Sequence, residues 1–157
     1  MSEKAQLENT PAPLEELQEI SRKHKQISIG IPKELVEDES RIPITPEAVE
    51  LLTSSGLRVN IESGAGDAAD YKNLDYSESG ANIVENRSEV FESDIILKVA
   101  PFTLAEIEML KKQQLIISSF QMPKQSEEAL RRLMQKKVTA IAFEFLKDDV
   151  GIILSFK

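Results

Sequence analysis

The chain contains no cysteine and only one histidine, His24, among its 157 residues. Without cysteine, disulfide scaffolds and thiolate chemistry are excluded. His24 lies in a charged stretch ahead of the first predicted strand, so neither a histidine-based triad nor a multi-histidine metal site is expected. No apolar run approaches the length of a membrane span, and the N-terminus lacks the apolar core of a signal peptide. These absences predict a cytoplasmic protein without a metal site.

Basic residues are also scarce, since 19 lysines and arginines stand against 27 acidic residues and leave a net charge of -8. Nucleic-acid binding needs a basic surface that neutralises phosphates, so no nucleic-acid partner is expected. The one basic cluster, Arg131, Arg132, Lys136 and Lys137, falls at helical spacing and predicts a solvated helix face. With 41% hydrophobic and 29% charged residues, the composition indicates one soluble globular domain.

The chain divides into three parts by composition. Residues 1–13 are polar and rich in turn formers, which predicts a flexible N-terminal arm. Residues 14–26 repeat apolar side chains at helical spacing and predict a helix that docks on the domain or on another subunit. The domain itself is expected over 27–157. It ends in the apolar run Ile152–Phe156, which predicts self-association because no following helix covers this strand.

Short apolar runs alternate with amphipathic segments from residue 27 onward. The expected strands are Ile27–Ile31, a segment around Val59 and Ile61, Ala81–Val84, Ile95–Val99, Leu115–Phe120 and Val138–Phe143. The expected helices are Pro46–Ser55, Leu104–Leu110 and Ser126–Gln135. Thr45 and Thr103 are the expected N-caps of the first two helices. This alternation implies right-handed crossovers and an α/β fold with an open, mostly parallel, doubly wound sheet.

Polar side chains follow three of the predicted strands. Arg41 lies in the loop after the first strand, Lys98 interrupts the apolar run of the fourth, and Gln121 follows the fifth. Ligands of open α/β sheets bind at the carboxyl ends of strands, and a guanidinium there suits a small carboxylate. The alternative for Arg41 is an exposed ion pair with an acidic residue at position 37, 38 or 39. The alternative for Lys98 is a structural role.

Two further patterns have weaker chemical implications. Gly64 and Gly66 fit a G-x-G-x-x-[GA] pattern, and Glu85 lies where a ribose-binding acid is expected. However, residues 67–73 have no apolar helical stripe and bring two aspartates toward any phosphate, so the glycines predict a surface turn. Glu144 is the only carboxylate placed after a strand, and no acid/base pair is evident.

Six sequence blocks, in this order, resemble the N-terminal domain shared by alanine dehydrogenase and the alpha subunit of proton-translocating NAD(P) transhydrogenase. The blocks are Ile29-Gly30-Ile31-Pro32-Lys33-Glu34, Glu39-x-Arg41-x-x-x-Thr45-Pro46, Glu62-Ser63-Gly64-Ala65-Gly66, Ser79-Gly80-Ala81, Ile95-Ile96-Leu97-Lys98-Val99 and Val138-Thr139-Ala140-Ile141-Ala142. The likeness runs from about Ile27 to Gly151. The preceding arm resembles alanine dehydrogenases of the Bacteroidetes type.

The resemblance implies an oxidoreductase that converts L-alanine, NAD+ and water to pyruvate, ammonium and NADH. It implies that Arg41 and Lys98 hold the substrate carboxylate and carbonyl. The family's catalytic histidine is replaced by Gln121, which cannot shuttle a proton near neutral pH. The family's separate NAD-binding Rossmann domain is not recognisable after Gly151. The chain is therefore expected to be a truncated or frameshifted fragment that is inactive alone and binds no NAD by itself.

Three functions follow as hypotheses. The first is the substrate-binding domain of an alanine dehydrogenase-like oxidoreductase, with pyruvate or L-alanine as ligand. The second is the N-terminal part of a transhydrogenase alpha subunit that works with a separate nucleotide-binding domain. The third is a non-catalytic binding or interaction domain. The expected partner is a second copy of the chain or the missing nucleotide-binding domain.

Overall fold

The structure is a computed structural model that describes residues 26–36, 39–121 and 125–147. The predicted arm, all of the predicted docking helix except Gln26, and the apolar run Ile152–Phe156 lie outside the described residues. The described residues contain one sheet and the helices that pack on it.

Six strands form the sheet, and every neighbouring pair is parallel. They are β1 Ser28–Ile31, β2 Arg58–Glu62, β3 Asn82–Val84, β4 Ile95–Leu97, β5 Leu115–Ser118 and β6 Thr139–Ala142. The order is β3-β2-β1-β4-β5-β6, so the direction of winding reverses between β1 and β4. The predicted open, doubly wound sheet is confirmed, and the carboxyl ends of β1 and β4 form the switch point at which such folds bind ligands.

Within the described ranges, five helices connect the strands: α1 Pro46–Ser54, α2 Asn73–Glu78, α3 Arg87–Val90, α4 Leu104–Met109 and α5 Glu127–Lys136. The same ranges contain two 3-10 turns, at Asp67–Ala69 and Phe143–Phe145. The predicted α1, α4 and α5 are confirmed, with Thr45 and Thr103 at the N-cap positions of α1 and α4. The sequence pattern does not predict α2 and α3. The helix α3 has only four residues, and α2, although as long as α4, lacks the repeated apolar positions that mark α4. No helix in the described part of the chain is long and apolar enough to cross a bilayer.

Two apolar clusters cover the two faces of the sheet. One lies under α1 and α2 and includes Ile31, Val49 and Ile61, whereas the other lies under α4 and α5 and includes Ile96 and Ile116. Burying each of these side chains contributes about 1.5–3 kcal/mol to folding. Successive side chains of β4 point to opposite faces of the sheet. This alternation determines which side chains lie together at the switch point.

Candidate functional site

An apolar cavity of about 230 Å³ opens at the switch point. Its lining residues are Arg41, Ile42, Pro43, Leu97, Val99, Ile117, Phe143 and Leu146. The first three belong to the loop after β1, and the others lie in β4 and β5, directly after β4, and after β6. The volume is below the roughly 300–1,000 Å³ of pockets for drug-sized ligands. One cation beside an apolar wall therefore suits a small organic acid.

Arg41 lies beside this cavity and is also paired with Glu39. Its Nε and Nη2 donate to the two carboxylate oxygens of Glu39 at 2.8 and 2.7 Å, and its backbone N donates to Oε1 at 3.0 Å. The hydrogen bonds from Arg41 hold the pKa of Glu39 below its usual value. The same pair raises the pKa of Arg41, and the charge of Glu34 adds to this rise. Arg41 therefore both forms an ion pair with Glu39 and lines the cavity.

Lys98 is buried on the other face of the β4 end. Leu97 and Val99 line the cavity, so alternation directs the intervening Lys98 toward the helix α4 side. Its Nζ donates to both carboxylate oxygens of Glu106 at 2.9 and 3.0 Å and lies 3.4 Å from Glu34 Oε2. Lys98 and Arg41 therefore follow neighbouring strands but lie on opposite sides of the sheet edge.

The partners of Lys98 extend into a series of ion pairs that we call the charge chain: Glu62, Arg87, Glu106, Lys98 and Glu34. Arg87 donates to Glu62 Oε2 at 2.7 Å and, through Nη2, to Glu106 Oε1. The side chains of Lys98 and Glu106 are each 1% exposed. Removing either one therefore leaves the other as an unpaired buried charge. The sequence pattern does not identify the other four members of the charge chain as site residues. The T-x-x-E spacing of Thr103 and Glu106 is a capping-box signal that does point to Glu106.

Glu34 follows β1 and connects the ends of β1 and β4, so the expectation that Glu144 is the only carboxylate after a strand is wrong. Its Oε1 accepts hydrogen bonds from the backbone N–H groups of Val99 and Ala100 at 2.6 and 3.2 Å. Its Oε2 makes the ion pair with Lys98, and its charge raises the pKa of Arg41. One buried carboxylate thereby holds the strand end and couples electrostatically to both cations.

Gln121 and Glu144 lie at the ends of β5 and β6. Glu144 Oε1 accepts from the backbone N–H groups of Phe120 and Gln121 at 2.7 and 2.8 Å, which repeats the arrangement of Glu34 on a neighbouring strand end. Gln121 is exposed and has a φ of 43°, which is unfavourable for a residue other than glycine. The hydrogen bonds to Glu144 stabilise this backbone conformation. Neither Gln121 nor Lys98 belongs to the described residues that line the cavity.

The Gly64–Gly66 segment is a packed turn. A Cβ at position 66 would lie 2.7 Å from the Tyr76 ring and 2.8 Å from Tyr71 O, so the close approach of these tyrosines requires glycine. A three-residue 3-10 turn follows, which lacks the aligned dipoles that hold phosphate at the start of an α-helix. The segment is therefore a poor fit to a dinucleotide. The described residues also contain no group of acidic or histidine side chains arranged to hold a metal ion.

The basic cluster on α5 is a solvated face, as predicted. Arg131 pairs with Glu127, and Arg132 pairs with Glu128 and Glu108, in exposed positions. These side chains line a groove of about 610 Å³ between α4 and α5. Because each arginine already has a carboxylate partner, the groove carries no free basic charge for a ligand.

The charge chain predicts a loss of stability in acid. Burial raises the pKa of Glu106, but the charges of Lys98 and Arg87 and the hydrogen bond from Thr103 lower it more, to a net value below 4.5. The folded pKa lies below the unfolded one, so this stabilisation is complete above about pH 4.5 and is lost as pH falls through the folded pKa. Urea unfolding at a series of pH values should show this decline. Glu106→Gln should flatten it, and an equal decline in that variant would contradict the assignment.

Comparison with known proteins finds similar domains. The sequence profile described as "Alanine dehydrogenase/PNT, N-terminal domain" matches residues 30–154. An alanine dehydrogenase from Staphylococcus saprophyticus subsp. saprophyticus is 34% identical over 116 residues, which are 74% of this chain and 31% of that protein. The chain thus spans about a third of the length of the curated relatives that it matches.

Solved structures agree with the sequence comparison. An L-alanine dehydrogenase superposes with a TM-score of 0.76 and 29% identity, covering 81% of this chain and 35% of that chain. A transhydrogenase from Sinorhizobium meliloti superposes with a TM-score of 0.69 and 28% identity, covering 76% of this chain and 35% of that chain. The six-stranded parallel sheet is therefore a domain fold that occurs in both kinds of protein.

Proposed function

Because the chain belongs to the alanine dehydrogenase/PNT N-terminal domain family, we propose that it forms the substrate-binding part of an alanine dehydrogenase-like oxidoreductase. Its ligand is pyruvate or L-alanine. The observation that carries the proposal is the position of Arg41 on an apolar cavity at the switch point of the sheet. The guanidinium receives the ligand carboxylate, and the apolar wall receives the methyl group.

Lys98 is the proposed second substrate-binding residue. Its ammonium has three N–H donors, and Glu106 receives the shortest of its contacts. The contacts to Glu34 Oε2 and to Pro101 O are longer, at 3.4 Å each. To meet the carbonyl of a ligand that Arg41 holds, Lys98 gives up the longer Glu34 contact and moves from its buried position on the α4 side toward the cavity, while Glu106 remains its carboxylate partner.

Gln121 favours a second candidate, the N-terminal part of a transhydrogenase alpha subunit. A glutamine at the strand end can donate and accept hydrogen bonds but cannot act as the proton shuttle that amino-acid oxidation needs. Hydride transfer between nucleotides has no such requirement. The similarity to the transhydrogenase structure supports this candidate as well. In either case NAD is the cofactor of the family's chemistry, and we propose that it binds outside the Gly64–Gly66 turn, on a partner domain or subunit.

A titration of the purified chain with pyruvate, L-alanine and NADH tests the proposal. Isothermal calorimetry should detect pyruvate or L-alanine binding, and Arg41→Ala should weaken it by roughly ten- to a hundredfold, because hydrogen bonds to charged groups contribute about 1.5–3 kcal/mol. Arg131→Ala is the matched control, since it removes an exposed arginine that also pairs with a glutamate. Unchanged binding in Arg41→Ala would contradict the assigned site. A chain that binds none of the three would point to the interaction domain.

A further inference from the structure

Glu39 occupies one edge of the Arg41 guanidinium. A guanidinium presents two edges to carboxylates, one formed by Nε and Nη2 and the other by Nη1 and Nη2. Glu39 accepts from Nε and Nη2 at 2.8 and 2.7 Å, which is a complete bidentate contact. Among the described residues, no hydrogen bond uses Nη1. The second edge is therefore the one that can meet a ligand.

Glu39 is a fixed part of the site. Its side chain is 12% exposed, whereas that of Arg41 is 53% exposed, so the carboxylate lies beneath the guanidinium. The backbone N–H of Arg41 also donates to Glu39 Oε1 at 3.0 Å, which ties the carboxylate to the same loop. A ligand that binds the open edge of Arg41 thus lies close to a permanent negative charge.

The cations of the site are both compensated before any ligand arrives. Arg41 has Glu39 in contact and feels the charge of Glu34, while Lys98 has Glu106 and Glu34. Here an incoming carboxylate gains the hydrogen bonds of the open edge but is repelled by Glu39. A ligand with its own positive charge beside the carboxylate offsets this repulsion.

We infer that Glu39 is a specificity-determining residue, and that it makes the Arg41 site favour an amino-acid zwitterion over a net anion of the same shape. The inference rests on the proposed function of Arg41 and adds the preferred charge of the ligand. This role differs from a purely structural one. If Glu39 only held the Arg41 guanidinium in place, it would strengthen the binding of a zwitterion and of an anion by the same factor. A change in the preference between the two ligands when Glu39 alone loses its charge therefore reports the electrostatic role of Glu39.

L-Alanine and L-lactate are the matched probes, because L-lactate carries a hydroxyl group where L-alanine carries its ammonium. Calorimetric titration should give the dissociation constants of both ligands for the full chain and for Glu39→Gln, which keeps an oxygen acceptor but removes the charge. We expect Glu39→Gln to shift the affinity ratio toward L-lactate by roughly two- to fivefold, the range of an exposed charge interaction. Added salt should reduce this shift.

Glu127→Gln is the control, since Glu127 also pairs with an exposed arginine, Arg131, through one contact of 2.7 Å. It should leave the affinity ratio unchanged. If Glu39→Gln changes both affinities by one factor, or changes neither, the charge selectivity is wrong while the carboxylate site stands. If the unmodified chain binds neither ligand, the proposed function fails, and the inference fails with it.

Discussion

Replacing Glu106 with alanine is expected to lower the free energy of unfolding by about 3–5 kcal/mol, because it leaves a buried lysine without its principal carboxylate. Lys98 is 1% exposed and donates to both oxygens of Glu106. The substitution also removes the capping-box hydrogen bonds from Thr103 at the start of α4. Urea unfolding followed by circular dichroism at neutral pH measures the loss.

The control for this prediction lies on the same helix. Glu108 pairs with Arg132 in an exposed position, so Glu108→Ala should cost no more than about 1 kcal/mol. The double variant Lys98→Met/Glu106→Leu removes both buried charges and should be more stable than Glu106→Ala alone. Equal losses in Glu106→Ala and Glu108→Ala would show that the charge chain does not stabilise the fold.

Replacing Gly30 with valine is expected to destabilise the domain by about 3 kcal/mol or more, since overpacking a rigid core forces the backbone to move. A Cβ at this position would lie 2.3 Å from Val90 O and 2.8 Å from Ser93 Oγ. The carbonyl belongs to the backbone at the end of α3 and cannot rotate away. Because β1 pairs with both β2 and β4, its displacement disturbs the centre of the sheet. The midpoint of urea unfolding reports the change.

Gly56 provides the contrasting position. It has a φ of +86°, and no atom lies within 4 Å of a Cβ built there. Gly56→Asn should therefore cost less than about 1 kcal/mol, because asparagine tolerates the left-handed conformation. A loss at Gly56 as large as that at Gly30 would contradict the steric explanation and point to a general intolerance of this chain to glycine replacement.

Local signals in the sequence predict the long elements of the fold. Short apolar runs mark five of the strands, and the alternating Val59 and Ile61 mark β2. The cap at Thr103 marks α4, and all these signals depend only on neighbouring residues. The position of Arg41 after β1 is predicted in the same way, since the topology of a doubly wound sheet places such loops at the ligand edge. The helices α2 and α3 are not predicted, because neither repeats apolar residues along one face over several turns.

The amino-acid sequence by itself determined the alternation of strands and helices, the faces of the longer helices and the place of Arg41 in the fold. Only the tertiary structure decided the surroundings of the charged residues. Glu34 is 64 residues from Lys98 in the chain, and their contact exists because β1 and β4 become neighbours in the sheet. The side of the sheet edge on which Lys98 lies depends on the alternation along a correctly paired strand. An ion pair across such a separation has no local pattern, so the charge chain appears only after the sheet is assembled.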